Sequence, residues 1–376
     1  MKISKRLLAM LLSIVMILCV LPHHAGATDE AVTQSENYQT KVVSTEPAEE
    51  ISCTSVEEIG LKLRAALKAR QSEVTIAFEI EETYNNQLDD RIYEIAMEHT
   101  GVPTEGDYLR YNCGGYRCGF SYYQNGNIME GTVTFRPQYY STAAQEAVMD
   151  SEVAKLLNEL NLWNASDYEK IVGVYEWMCQ NITYDYENLG DPDYMLKYTS
   201  YAALVNRTSV CQGYASLLYR LLLELGVDNR MITGIGNGGG HAWNIVEIKD
   251  LYYDVDATWD ASWRQAGLDY NFFLLPDAEF EDHERDQVFL TDSFMNEYPM
   301  ATEAYQPALI GDTNLDGNVD SEDLTILARH VAGIELVTAT AFVNADVNGD
   351  GEVDAEDLTL HARYIAGIID EWDNAA

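Results

Sequence analysis

Three residues in the middle of the chain have types and spacing that suit nucleophilic catalysis. Cys211 lies in SVCQGYASLLYRLLLELGV, His241 in GHAWNIVEI and Asp256 in DLYYDVDATW. A thiolate attacks carbonyl carbon, an imidazole accepts and returns the proton, and a carboxylate fixes the imidazole tautomer. The sequence therefore predicts a Cys-His-Asp set for acyl transfer.

The predicted elements would place these groups favourably. Apolar residues at helical spacing begin at Cys211, directly after Thr208 and Ser209, so the thiol is predicted at a helix N-terminus. Unpaired N–H groups and the helix dipole at that point stabilise a thiolate and can hold an oxyanion. His241 and Asp256 are predicted on two successive strands.

Two alternatives stay open from the residues alone. Cys211, Tyr214, Ala215 and Leu218 follow the i, i+3, i+4, i+7 pattern, so Cys211 could instead be a small core residue. Asp254 is predicted on the same strand face as Asp256 and competes with it as the partner of the histidine.

The run SVCQGYASLLYRLL through HAWNIVEIKDLYYDVDATWD resembles the transglutaminase-like superfamily, whose fold is related to that of papain. Bacterial members carry G-V-C-x-G-Y-A, then H-A-W-N, then D-x-T-W. Ser209 replaces the glycine and Ala257 replaces a common proline, and neither change removes a reacting atom. The resemblance covers about 165–260 and implies Cys211 as nucleophile, His241 as general base and acid, and Asp256 as orienter.

The oxyanion site and the reaction are less determined. The Cys211 amide is the first predicted oxyanion donor, and Tyr201 and Asn206 are candidates for the second. Water as acceptor would make the enzyme a cysteine peptidase, which the resemblance favours. A lysine amine as acceptor would make it a transglutaminase. An inactive scaffold or binding protein is a third possibility, and a glycosidase has no motif in its favour. No cofactor is predicted for catalysis.

Before the histidine, Gly234-x-Gly236-x-x-Gly239 matches a dinucleotide-binding fingerprint. That fingerprint requires a helix after the glycines, whereas HAWNIVEI has the pattern of a strand. We therefore predict that the glycines form a flexible connection that leads the chain into the histidine strand.

Near its C-terminus the chain repeats itself. Residues 311–334 and 345–368 agree at 15 of 24 aligned positions, and from its second residue each segment reads D-x-N-x-D-G-x-V-D-x-E-D. Alternating oxygen donors with glycine at position 6 predict two Ca²⁺ loops. The predicted ligands are Asp312, Asn314, Asp316, Asn318, Asp320 and Asp323 in the first loop, and Asp346, Asn348, Asp350, Glu352, Asp354 and Asp357 in the second.

An aspartate at position 12 and a single helix after each loop make this repeat similar to the type I dockerin family. The resemblance implies two bound Ca²⁺ and a cohesin module of a scaffold protein as partner, within an extracellular cellulosome that degrades polysaccharide. It also implies partner contacts after the ligands and along each helix. Those positions hold Ser321-Glu322, Arg329-His330, Ala355-Glu356 and Arg363-Tyr364.

The chain begins with the features of a secretory signal peptide. Basic residues Lys2, Lys5 and Arg6 precede an apolar run over 7–21 and then Ala25-Gly26-Ala27. The formal net charge is −39, which excludes nucleic acid and anionic membranes as partners. Five of the six cysteines follow the signal, and Cys113 and Cys118 could close a small loop.

The predicted fold class is α+β: a papain-like or transglutaminase-like core, an N-terminal α+β unit and a small all-α calcium-binding dockerin. Asn125-Gly126 between two β-rich runs predicts a hairpin in the N-terminal unit. The predicted divisions are a signal peptide over 1–27, a disordered linker over 28–52, the N-terminal unit over 53–140, the catalytic domain over 141–300, a linker over 301–310 and the dockerin over 311–376.

Overall fold

A computed structural model describes residues 52–337 and 339–372, with the side chains of 339 and 340 left out. The predicted signal peptide lies outside these residues, as does the predicted linker apart from residue 52. The chain divides into two compact units, one ending at Ala304 and one beginning at Tyr305. The α+β class is confirmed, and the second unit is helical as predicted.

The first unit opens with two helices packed on a three-stranded antiparallel sheet. Ser55 caps the first helix by accepting a hydrogen bond from the Glu58 amide, and the first strand alternates buried and exposed residues, which places one face against the helices. The sheet order is β1-β3-β2. The elements are α1 (Val56–Lys68), β1 (Val74–Glu81), α2 (Leu88–Ala96), α3 (Asp107–Tyr111), β2 (Cys113–Asn125) and β3 (Ile128–Tyr139).

The predicted hairpin is present, with its turn one residue later than the sequence indicated. Asn125 pairs with Ile128, so Gly126 and Asn127 form a two-residue loop. Gly126 has a φ of 63°, in the left-handed region that glycine adopts without strain.

Two long helices follow, each begun by a capping box. In α4 (Ala143–Leu160) the Thr142 and Gln145 side chains exchange hydrogen bonds with each other's backbone amides, and in α5 (Asp167–Asn181) Ser166 and Glu169 do the same. The short parallel pair β4 (Thr183–Tyr184) and β5 (Thr208–Ser209) then leads into α6 (Cys211–Glu224).

A five-stranded antiparallel sheet carries the remaining core of the first unit, in the order β10-β6-β7-β8-β9. Helix α6 packs against it, and the Asn244 side chain donates a hydrogen bond to the Ala215 carbonyl across that contact. The elements are β6 (Asn229–Gly236), β7 (Gly239–Ile248), β8 (Leu251–Val255), α7 (Ala257–Gln265), β9 (Phe273–Leu275), β10 (His283–Arg285) and α8 (Asp292–Glu297).

Segment α3 lies within the predicted N-terminal unit but packs against the later part of the chain. Asp107 binds the Arg230 guanidinium, and the Gln212 side chain donates to the Tyr111 carbonyl. The predicted division at residue 140 stays a prediction, because these contacts join elements on either side of it.

The second unit consists of helices α9 (Ser321–Val331), α10 (Ala339–Ala345) and α11 (Ala355–Ile365). Asp320 and Asp354 cap α9 and α11 in equivalent capping boxes, so the repeat seen in the sequence is also a repeat in structure. Within the described ranges, no helix is long and apolar enough to cross a membrane.

Candidate functional site

Cys211 is the first residue of α6, as the sequence predicted. Val210 occupies the N-cap position and offers no side-chain cap, so the helix's first amides are not satisfied by a capping side chain. The thiol has no exposed surface and belongs to an apolar cluster that includes Tyr108, Tyr111 and Ala242. Cys211 thus lies both at a helix N-terminus and in the core, the two positions that the sequence left open.

His241 lies on β7 and is almost fully buried, at 3% exposed. Its Nε2 atom lies 2.7 Å from Oδ2 of Asp256. The neighbouring residue Ala242 packs in the same cluster as Cys211, so β7 packs against α6.

The sequence predicted Asp256 on a strand, but in the structure Asp256 follows the strand and caps the next helix. Strand β8 ends at Val255, and Oδ1 of Asp256 accepts hydrogen bonds from the amides of Thr258 (2.8 Å) and Trp259 (3.2 Å). Although burial alone would raise it, the pKa of Asp256 is lowered well below its usual range because His241 and a second histidine, His283, contact the carboxylate. The carboxylate is therefore ionised and fixed.

Asp254, the competing orienter, has a different role. Its carboxylate binds the Arg285 guanidinium at 2.8 Å and accepts a hydrogen bond from the Trp243 indole at 2.9 Å. Burial raises the pKa of Asp254 to about 6, against the opposing effect of Arg285. The structure thus brings Asp256, and not Asp254, to His241.

The candidates for the second oxyanion donor lie on a turn before Cys211. Tyr201 and Asn206 bound a one-turn π-helix, and Asn206 is exposed. Their assignment stays a prediction. Tyr214, one turn into α6, has a buried hydroxyl without a hydrogen-bond partner among the described residues.

His283 was not found from the sequence. It lies on β10, which pairs with β6 so that His283 is opposite Gly236, and its Nε2 atom lies 3.2 Å from Oδ2 of Asp256. No sequence motif links His283 to the other site residues, and its strand has only three residues. Only the pairing of distant strands brings it to the site.

The glycine run forms a tight hairpin and not a flexible connection. Gly236 pairs with Gly239, and the two turn residues, Asn237 and Gly238, have φ of 50° and 81°. A Cβ on Gly234 would lie 2.0 Å from the Glu284 carbonyl, and one on Gly236 would lie 2.8 Å from the His241 ring. The absence of a side chain at Gly234 therefore leaves space for β10, and its absence at Gly236 leaves space for the His241 ring.

Both acidic loops of the second unit have the same internal hydrogen bonds. Asp312 accepts from the amides of Asp316 and Gly317, and Asp346 accepts from those of Asp350 and Gly351. Gly317 and Gly351 have φ of 85° and 88°, as expected at the turn of each loop. The set of carboxylate, amide and backbone oxygens suits Ca²⁺, while the individual ligand assignments stay predictions.

At position 12 of each loop, a buried aspartate holds the two ends of the loop together. Asp323 accepts hydrogen bonds from the amides of Thr313 and Asp320, each at 2.8 Å. Asp357 does the same with the amides of Val347 and Asp354, at 2.9 and 2.8 Å.

Among the described residues, the cysteines outside the site form no disulfide. Cys53, Cys113, Cys118 and Cys179 are free thiols, so the small loop considered for Cys113 and Cys118 is not closed. Burial raises the pKa of Cys113 to about 12 and also raises those of Cys118 and Cys179. These three thiols are therefore poor nucleophiles near neutral pH.

Comparison with known families agrees with both resemblances. Residues 151–261 match the family described as a transglutaminase-like domain, and residues 310–366 match the dockerin type I domain. Each of the two segments is thus similar to the family that its motifs resemble.

Similar proteins cover only part of this chain. Kyphoscoliosis peptidase of Mus musculus is 28% identical over 161 residues, which are 38% of this chain and 24% of that protein. The Homo sapiens protein of the same name is 28% identical over 165 residues, 39% of this chain and 24% of that protein. This chain thus spans about a quarter of the length of these curated relatives.

Two solved structures resemble part of this chain at low overall similarity. One is a transglutaminase, described as a TGase, with a TM-score of 0.29 and 14% identity over 52% of this chain and 56% of that one. The other is a putative cysteine protease from Cytophaga hutchinsonii, with a TM-score of 0.23 and 13% identity over 39% of this chain and 65% of that one.

Proposed function

We propose that the transglutaminase-like domain is a cysteine peptidase in which Cys211 is the nucleophile, His241 the general base and acid, and Asp256 the orienter. One observation carries the proposal: the buried 2.7 Å contact between His241 and Asp256, on a strand held against the helix that begins at Cys211. A buried, ionised carboxylate beside an imidazole is the arrangement that fixes a catalytic tautomer.

The contact supports a role for one particular imidazole nitrogen in proton transfer. Nε2 of His241 donates to Asp256, which leaves Nδ1 to exchange a proton with the Cys211 thiol. The thiolate sulfur then bonds to the amide carbon, and the amine leaves with the proton from His241. Water deprotonated by His241 hydrolyses the thioester and restores the thiol.

The burial of Cys211 adds a condition to this scheme. Because the thiol has no exposed surface, a substrate must displace part of the chain that covers it. Tyr184 and Leu189 pack against the cluster that contains Cys211, and the segment between them begins at the partly exposed Tyr184. Water is excluded from the site until that displacement occurs, which strengthens electrostatic interactions there.

Hydrolysis is proposed over amine transfer because the curated relatives are named as peptidases. The test is labelling with an iodoacetamide probe, followed by casein assays with and without a primary amine. We expect wild type to be labelled and to release peptides, and Cys211→Ala to do neither. Cys118→Ala, which removes a thiol outside the site, is the matched control and should behave as wild type.

Equal labelling of wild type and Cys211→Ala would contradict the assignment of the nucleophile. Amine incorporation that exceeds peptide release would instead identify a protein-glutamine transglutaminase, with the same three residues and a different acceptor.

We further propose that the protein is secreted through the N-terminal signal segment and attached by its dockerin to a cohesin on a scaffold protein. The matching dockerin family supports the attachment. In Ca²⁺, immobilised cohesins should retain both wild type and Cys211→Ala, because binding does not use the thiol. Failure to bind any cohesin in Ca²⁺ would remove the basis for a role in a polysaccharide-degrading assembly.

A further inference from the structure

His283 is held in the site as firmly as His241. Its side chain is 2% exposed, and its strand pairs with β6 directly opposite Gly236, the glycine that also admits the His241 ring. The ring centroids of His241 and His283 are 5.5 Å apart. Two imidazoles therefore share one buried carboxylate.

The hydrogen bonds of His283 decide where its protons are. Nδ1 lies 2.9 Å from the carbonyl oxygen of Glu281, and Nε2 lies 3.2 Å from Oδ2 of Asp256. A carbonyl oxygen and an ionised carboxylate can only accept, so each nitrogen must donate. An imidazole that donates from both nitrogens carries a positive charge.

Four aromatic rings surround the His283 side chain, which is 2% exposed. Its centroid lies 4.1 Å from that of Phe280, 4.2 Å from Trp259, 4.9 Å from Trp243 and 5.4 Å from Phe272. The negative faces of aromatic rings attract a cation, and the attraction grows when water is excluded.

A metal ion fits this cluster less well than protons do. His241, Asp256 and His283 each offer one ligand atom to a common point. Two ligands of tetrahedral Zn²⁺, each bound at about 2.0–2.1 Å, are separated by about 3.3 Å. The 2.7 Å between Nε2 of His241 and Oδ2 of Asp256 is a hydrogen-bond distance and leaves no room for an ion between them.

We propose that His283 is a cationic positioning residue, which shares Asp256 with His241 and sets the pH range in which the Cys211–His241 pair is active. This inference rests on the proposed function. Among the described contacts of its ring, the titratable groups are Asp256, from the start of α7, and His241, from β7. Strand β6 contributes Gly236, and the other neighbours are the four aromatic rings.

The direction of the effect follows from charge. A cation at His283 offsets part of the negative charge of Asp256, which makes protonated His241 less stable, and it also stabilises the Cys211 thiolate through space. Replacing His283 by a neutral residue should therefore move both limbs of the pH–rate profile to higher pH. For charges separated by 5.5 Å, a shift of about one pH unit is expected.

The test compares His283→Gln with Glu284→Gln. Glutamine can still donate to Asp256 but carries no charge, and Glu284→Gln removes a charge from the adjacent, exposed position of the same strand. The measurements are the pH dependence of kcat/KM and of Cys211 alkylation, with the melting temperature as a check on folding. We expect an upward shift of both limbs in His283→Gln and wild-type limbs in Glu284→Gln.

The proposal is overturned if folded His283→Gln has the same pH limbs as wild type, whether or not its maximal kcat/KM is lower. If that variant does not fold, ¹⁵N-histidine NMR of wild type decides, with His283→Asn used for assignment. Protons on both nitrogens of His283 at neutral pH support the proposal, and a neutral ring overturns it. Because the NMR result does not depend on turnover, it separates failure of this inference from failure of Cys211 to react.

Discussion

At the scale of single residues, Asp256 is the centre of the site. One of its oxygens caps α7 through two backbone amides, and the other contacts two histidines. The capped helix therefore fixes the carboxylate, and the carboxylate fixes the imidazoles. Such an arrangement leaves little freedom for His241, because its partner carboxylate is also bound by α7 and by β10.

Gly236 is predicted to be required for the position of His241. A Cβ at this position would lie 2.8 Å from three atoms of the histidine side chain, so Gly236→Ala must move the ring. Because a displacement of about 1 Å can cost about 100-fold in rate, we expect kcat to fall by about 10- to 100-fold. Steady-state kinetics on casein measures it.

The matched control is Gly119→Ala, on β2, where a Cβ would meet open space. It should leave kcat unchanged. Full activity in Gly236→Ala would mean that His241 does not depend on this close approach.

At the scale of elements, three of the four site residues lie at junctions between elements, whereas His241 lies within β7. Cys211 begins α6, Asp256 precedes α7, and His283 begins β10. Helix α3 reinforces this arrangement because it ties its Asp107 to β6, the strand that pairs with both β7 and β10. The strands that carry His241 and His283 are thus anchored by an element from a distant part of the chain.

Loss of the Asp107 charge is predicted to destabilise the first unit. Asp107 is 1% exposed and binds Arg230 at 2.7 and 3.0 Å, so Asp107→Asn leaves the arginine charge without its partner. Breaking a buried ion pair from one side costs about 3–5 kcal/mol. Urea unfolding near neutral pH measures this loss, and the exposed Asp250→Asn is the control.

The same pair predicts a dependence on pH. Burial opposes it, but Arg230 dominates, and the pKa of Asp107 is lowered. A lowered native pKa contributes stability above the unfolded value of about 3.9, and this stability is lost as the pH falls through the native value. Wild type should therefore lose more stability than Asp107→Asn below about pH 4. Equal acid dependence in both proteins would argue against the ion pair.

At the scale of the whole molecule, the two units differ in what stabilises them. The first has apolar clusters beneath two sheets, whereas from 311 to 376 the sequence contains 15 acidic and 2 basic residues, a net charge of −13. Two Ca²⁺ would offset four of these charges. We therefore predict that the stability of the second unit depends on cations more strongly than that of the first.

Removal of Ca²⁺ is predicted to unfold the second unit selectively. Ligand at about 100 times its dissociation constant adds about 2.7 kcal/mol per site, a large part of the stability of a small domain. Calorimetry of the full chain should show a transition that EDTA lowers and Ca²⁺ restores. Glu335→Gln, outside both loops, should keep this response, and Asp312→Ala should weaken it.

An EDTA scan that matches the Ca²⁺ scan, with unchanged circular dichroism, would contradict calcium-linked folding. Labelling of Cys211 should survive EDTA, because no predicted Ca²⁺ ligand belongs to the first unit.

The sequence by itself determined the local features. Helical periodicity placed Cys211 at the start of α6, strand alternation placed His241 on β7, and the repeat of oxygen donors located the two acidic loops, because each of these signals lies within a short stretch of chain. The order of cysteine, histidine and aspartate, together with the surrounding motifs, was enough for the transglutaminase-like and dockerin resemblances.

Only the tertiary structure decided which groups meet. Asp254 and Asp256 could not be separated by periodicity, because the choice depends on where β8 ends and on the helix cap that holds Asp256. His283 reaches the site only because β10 pairs with β6. Cys211 is buried only because α3 and β7 pack on α6. Contacts of this kind join residues far apart in sequence, and a local pattern does not record them.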